Sequence, residues 1–84
     1  MNNEIYKKVQ NEKSQSLKLL ENIVNLESFS GSKKSVDQLS KYLSEVCTSL
    51  GGENTFYPQE DLGDNFTSEF HSGDKTTLIL CHMD

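Results

Sequence analysis

The chain lacks arginine, tryptophan and any long apolar run, and each absence narrows the classes of protein it can belong to. All 8 strong cations are lysines, against 13 acidic residues, so the net charge is −5. Such a chain lacks the basic surface that nucleic-acid binding requires. No apolar stretch reaches the length of a bilayer span, and the first residues lack the apolar core of a secretory signal. We therefore expect a cytoplasmic protein that binds neither nucleic acid nor membrane.

Cysteine and proline are also scarce. Cys47 and Cys81 lie far apart in the sequence and match no CxxC spacing, so we expect reduced thiols, buried as small apolar groups. One proline and 5 glycines leave no flexible linker, and 84 residues suffice for one small domain at most. We place no domain boundary within residues 1–84.

Helical periodicity dominates the first half of the chain. Ile5 and Val9 lie one turn apart in a polar segment, which indicates a short helix packed loosely on the next part of the chain. From Ser16 the apolar residues form a wider stripe, which predicts a helix with one broad buried face: Leu17, Leu19, Leu20, Ile23, Val24 and Leu26.

A second, clearer helix comes after the serine-rich stretch "SFSGSKKS". Its apolar residues recur at alternating steps of three and four, at Val36, Leu39, Leu43, Val46 and Leu50. Ser32 is placed to cap its N-terminus, with Asp37 in or near the first turn. Gly51 and Gly52 supply the left-handed conformation that ends many helices.

After the glycines the periodicity changes to that of strands. The segment "NTFYP" predicts a short strand closed by Pro58, and "NFTSEFH" alternates Phe66, Ser68 and Phe70 on one side. The tight turn "SGDK" then leads into "TTLILC", the most apolar strand. The sequence therefore predicts an α/β fold in which two N-terminal helices are followed by three strands.

Chemistry is concentrated at the end of the third predicted strand, at His82 and Asp84. Side chains two residues apart in a strand point to the same side, and a metal-bound histidine usually donates its other ring N–H to a carboxylate or carbonyl. The pair is a candidate for such a site, although a strand-end histidine followed by an acid is, taken alone, more often a surface pair than a zinc site.

Other candidate metal sites are disfavoured by their spacing. A zinc site built from Cys47, His71, Cys81 and His82 matches no compact zinc module, and adjacent strand residues point to opposite sides. His71 is explained more simply as a polar strand residue beside the turn. The acidic residues Glu60, Asp61 and Asp64 lack the ligand spacing of a calcium loop and predict a solvated turn.

The segment "TTLILCHMD", preceded by "LGDN" and "SGDK", resembles the start of the catalytic domain in one zinc metallopeptidase family. That family includes glutamate carboxypeptidase (carboxypeptidase G), acetylornithine deacetylase, succinyl-diaminopimelate desuccinylase and tripeptide aminopeptidase. An apolar strand runs into His-x-Asp in the family, and the glutamate carboxypeptidase branch often has methionine as the spacer, as at Met83. The segment "LLENIVNLESFSG" and the helix ending "LGG" fall in the same order, so the likeness covers most of the chain.

The resemblance implies a mixed sheet flanked by helices and a hydrolase that cleaves amide bonds in peptides or N-acyl amino acids. His82 would be a ligand to one of two zinc ions, and Asp84 would be the catalytic carboxylate that orients it. The bridging aspartate, the general-base glutamate and the dimerisation domain of the family's homodimers would lie later in the chain.

On this interpretation, residues 1–84 are a truncated N-terminal part of the catalytic domain. We expect it to be inactive and to bind zinc weakly or not at all, because it carries one proposed ligand. The alternative is a small noncatalytic module of helices and sheet with an interaction role.

Overall fold

A computed structural model describes residues 3–26, 29 and 31–83. Three helices come first, α1 (Asn3–Asn11), α2 (Lys13–Val24) and α3 (Lys33–Ser49). Two strands come next, β1 (Glu53–Tyr57) and β2 (Asn65–Glu69). The predicted α/β composition is confirmed. The weakly helical segment around Ile5 and Val9 forms a third helix beside the two counted from the sequence, and the described part of the chain has two strands where three were predicted.

The polar N-terminal segment forms a full helix that nearly continues into the next one. The amide of Glu12 donates to the carbonyl groups of Lys8 and Val9 at 3.1 and 3.2 Å, and the amide of Ser16 donates to Glu12 at 2.9 Å. Helical hydrogen bonds therefore cross the boundary between α1 and α2. We call these two helices together the helical arm.

The broad buried face predicted for α2 is wrong, because none of its residues is buried. Leu17 and Leu20 are each 55% exposed and Val24 is 72% exposed. On the side that approaches α3, the Asn22 amide donates to the Tyr42 hydroxyl at 3.0 Å. The apolar residues of α2 are spread around more than one side of the helix, and the described residues cover only part of them.

Helix α3 carries the core. The Ser32 side chain accepts a hydrogen bond from the Ser35 amide at 3.3 Å, so the predicted N-cap is confirmed. Val36 and Leu39 are 6% and 2% exposed. The predicted end is also confirmed, since Gly51 has a φ of 95°, which glycine adopts without strain.

Two serines share the buried face of α3. Ser40 and Ser44 are 2% and 7% exposed, and each hydroxyl donates to a carbonyl one turn earlier in the same helix. The acceptors are the carbonyl groups of Asp37 at 2.9 Å and Lys41 at 2.8 Å. These two hydroxyls are therefore satisfied within α3, without a partner from another element.

Strands β1 and β2 form an antiparallel hairpin that packs on α3. Phe56 lies opposite Phe66, and their stacked rings have centroids 5.3 Å apart. The Asn54 amide joins the hairpin to the helix, donating to the Ser44 carbonyl and the Thr48 hydroxyl at 2.9 Å each. The first two of the three predicted strands are confirmed, with Pro58 directly after β1.

The third predicted strand is not found: residues 76–81 form no regular secondary structure. Leu78, Ile79 and Leu80 are 76%, 81% and 84% exposed. A strand exists only where a neighbouring backbone accepts and donates its hydrogen bonds, and the described residues place none alongside this segment. The apolar pattern predicted burial without identifying the partner that burial needs.

Candidate functional site

One pocket brings together the loop before β2 and the segment directly after residues 76–80. Its volume is about 290 Å³. It is lined by Val36, Leu62, Gly63, Asp64, Asn65, Cys81, His82 and Met83. The "LGDN" and "CHM" segments of the sequence therefore line the same cavity, with α3 beneath them.

The loop reaches α3 closely because one of its residues has no side chain. A Cβ at Gly63 would collide with the side chain of Val36. Glycine is therefore required here by close approach, and the backbone of the loop forms part of the pocket wall.

A lysine at the start of α3 ties this loop down. The Lys33 ammonium donates to Asp64 Oδ1 at 2.7 Å and to the Leu62 carbonyl at 3.2 Å, and it lies 3.0 Å from Asp37 Oδ2. The Asp64 amide donates to Asp37 Oδ1 at 2.8 Å, and the Gln59 amide donates to Asp64 Oδ1 at 2.9 Å. We call Lys33, Asp37 and Asp64 the loop clamp.

The charges of the clamp reinforce one another. The hydrogen bond from Lys33 lowers the pKa of Asp64, with a further contribution from the Gln59 amide. Hydrogen bonds to Asp64 and then Asp37 raise the pKa of Lys33. Both groups are therefore charged throughout the neutral pH range.

The prediction of a solvated acidic turn holds for Glu60 and Asp61, which are exposed, but it is wrong for Asp64. The Lys33–Asp37 spacing of four residues on a helix could have indicated that pair from the sequence. Nothing in the sequence pattern indicated the contact with Asp64, because it joins residues distant along the chain.

Of the two predicted site residues, the structure describes His82 and not Asp84. His82 lines the pocket and is solvent-exposed. Asp84 lies outside the described residues, so its predicted role in orienting His82 stays a prediction. Both cysteines are free thiols, as expected, but Cys81 is exposed and Cys47 is half-buried. The expectation of two buried thiols is thus wrong, most clearly for Cys81, which comes directly after the uncovered segment.

His71 lies at the opposite end of the hairpin from its connecting loop. Its Nε2 is 3.3 Å from Glu53 Oε2 and 3.7 Å from Glu69 Oε2, two glutamates that face each other across the strands. Within residues 3–26, 29 and 31–83, no three His, Cys, Asp or Glu side chains are grouped to hold a metal ion. Cys47, His71, Cys81 and His82 do not supply such a group there.

The pocket lining includes three side chains of types that bind zinc, those of Asp64, Cys81 and His82. They are not grouped closely enough to hold one ion together in the described part of the chain. Asp64 Oδ1 is also engaged by Lys33 and Gln59. Protein zinc sites use three or four protein ligands, so the expected weak zinc binding stays a prediction.

No family model, no curated protein and no solved structure matches this chain. In the part of the chain that the structure describes, no helix is both long enough and apolar enough to cross a membrane.

Proposed function

We propose that this chain is the N-terminal part of the catalytic domain of a zinc-dependent metallopeptidase or amidohydrolase of the glutamate carboxypeptidase type. One observation carries the proposal. The segments "LGDN" and "CHM", on which much of the resemblance rests, line the same pocket although residues 66–80 separate them in sequence. Two segments that carry the resemblance, one of them with the proposed zinc ligand His82, are thus neighbours in space.

In this proposal His82 binds zinc through one imidazole nitrogen, and Asp84 accepts a hydrogen bond from the other. When bound there, zinc would supply a water of lowered pKa and would polarise the carbonyl of an amide substrate. Val36 and Leu62 contribute apolar side chains to the pocket wall. The other ligands and the general base belong to further sequence.

The exposed segment around Ile79 supports the same proposal. Three consecutive apolar side chains, Leu78, Ile79 and Leu80, are at least 76% exposed. Burying an aliphatic side chain of this size is favourable by about 1.5–3 kcal/mol, so adjacent exposed residues of this kind usually mark a surface that another element covers. In the proposed enzyme, neighbouring strands of a larger sheet cover it.

The decisive experiment is to sequence the gene beyond the codon for Asp84 and to express its complete product. We expect the reading frame to continue past the codon for Asp84 and to encode further aspartate, paired glutamate and histidine positions. The complete product should contain zinc, measured by elemental analysis, and should hydrolyse N-acyl amino acids or short peptides. A frame that stops at Asp84 would contradict the proposal.

Variants of the complete product test the assignment of residues. His82→Ala should reduce both zinc content and turnover, whereas Asp84→Asn should lower affinity or activity about 10- to 100-fold without unfolding the protein. The matched control is His71→Ala, which removes an exposed histidine that contacts the hairpin glutamates Glu53 and Glu69 and does not line the pocket. Equal losses of zinc content and turnover in the His82 and His71 variants would contradict the assignment of His82 as a zinc ligand.

A second candidate is a noncatalytic interaction module, and the exposed apolar side chains of the helical arm favour it. Ile5, Val9 and Leu20 are 62%, 61% and 55% exposed. In this case the 84-residue chain should be a cooperatively folded monomer that neither binds zinc nor requires further sequence. Calorimetric zinc titration and thermal unfolding of the chain distinguish the two candidates.

A further inference from the structure

We propose that Lys33 is a positioning residue for the pocket, acting through the loop that it holds. This role rests on the proposed function in one respect, that the pocket is the metal site. Lys33 does not line the pocket itself, whereas Leu62, Gly63 and Asp64 do. Its effect on His82 must therefore be transmitted by the position of the loop.

The ammonium group of Lys33 is matched to its surroundings. It has three N–H donors, and three oxygen atoms lie around it: Asp64 Oδ1 at 2.7 Å, Asp37 Oδ2 at 3.0 Å and the Leu62 carbonyl at 3.2 Å. Asp37 and Lys33 come from one helix, while the other two oxygens come from the loop. One side chain thus joins the start of α3 to both sides of Gly63.

The loop is held at three points within three residues. The Leu62 carbonyl and the Asp64 carboxylate bind Lys33, and the Asp64 amide binds Asp37. Between them, the Gly63 backbone lies against Val36 with no space for a side chain. Because this backbone is pocket wall, releasing the clamp changes the shape of the cavity that His82 also lines.

Lysine fits this arrangement better than arginine does. The planar guanidinium directs its donors in a fixed fork, which suits one carboxylate held by two bonds rather than three oxygens around a single nitrogen. We therefore expect Lys33→Arg to keep the charge but to restore only part of the loop order, and Lys33→Met to lose the clamp. Lys34→Met is the matched control, because Lys34 is the neighbouring residue in the same helix and its loss changes the net charge equally.

The test is nuclear magnetic resonance of the 84-residue chain without metal. In Lys33→Met, the amides of Gln59 and Asp64, which both donate to clamp carboxylates, should exchange about three- to tenfold faster, while the amide of Leu39 in the helix core should not change. The imidazole signals of His82 should shift in Lys33→Met, shift less in Lys33→Arg and stay in place in Lys34→Met.

A purely structural clamp would give a different result. If the Gln59 and Asp64 amides exchange faster but the His82 signals do not move, Lys33 holds the loop without positioning the pocket, and the proposal is overturned. Unchanged exchange at Gln59 and Asp64 would overturn the clamp itself. If Lys33→Met does not fold, the comparison of Lys33→Arg with Lys34→Met tests the same two outcomes. No metal is used, so a complete product that failed to bind zinc would leave these measurements intact.

Discussion

Two regions of the molecule carry apolar side chains but differ in how well these are covered. The first region is helix α3 with its hairpin, and the second is the helical arm together with residues 76–81. In the first region apolar side chains meet one another, as Leu39 does at 2% exposure. In the second region they face solvent, as Val24 does at 72% and Leu80 at 84%. The difference shows that an apolar stripe indicates the need for a partner, and that the partner need not be among the described residues.

Leu39→Ala tests the packed region most directly and should have the largest effect. Truncating a fully buried leucine leaves a cavity and typically costs about 2–5 kcal/mol of unfolding free energy. Leu20→Ala makes the same chemical change in the helical arm, where the side chain is 55% exposed, and should cost about 1 kcal/mol or less. Urea unfolding followed by circular dichroism measures both. Equal losses would mean that the arm is packed as tightly as α3 in solution.

Gly63→Ala tests whether the loop truly seats against α3. The added methyl group collides with Val36, so the variant should lose about 1–3 kcal/mol of stability. Adding Val36→Ala to the same chain should recover part of that loss, because it removes the colliding atoms. If the double variant loses more stability than the two single variants lose together, the collision is contradicted. Thermal unfolding of the three variants and the parent chain supplies the comparison.

Deleting the residues from Leu78 onward tests the exposed region. The segment 76–81 has high β-propensity and no charge, and an exposed apolar segment of this kind can pair as a strand with another copy. We expect the intact chain to associate and the shortened chain to scatter light as a monomer at the same concentration. Ile79→Lys is a poorer test, since it also changes the apolar character of the segment. A monodisperse intact chain would show that these side chains need no cover.

The smallest expected effect is a pH dependence of the loop clamp. Because the pKa of Asp64 is lowered in the folded chain, its contribution to stability is complete above the pKa of an unfolded aspartate and is lost as pH falls through the lowered value. The Gln59 amide should therefore exchange faster, relative to its intrinsic rate, only in acid. Asp64→Asn should remove this pH dependence, and an unchanged profile in that variant would assign it to another group.

Local signals in the sequence predicted α3, its serine cap, its glycine end and both strands of the hairpin. Those features depend on residues a few positions apart, such as Ser32 with Ser35, or Gly51 after Leu50. The burial of α2 and the third strand were mispredicted because each depends on a distant partner that periodicity does not identify. Of the site, the sequence indicated His82 but not the contact between Lys33 and Asp64, which forms only when the hairpin packs on α3.

The two buried serines of α3 have a consequence for how this chain can change over generations. Ser40 and Ser44 are small, lie on the buried face of α3 and each satisfy their own hydroxyl within the helix. Replacement of either serine by alanine should therefore be nearly neutral, whereas a larger side chain would overpack this buried face. Sequences descended from a common ancestor should accordingly exchange serine and alanine freely at these two positions while keeping their size small.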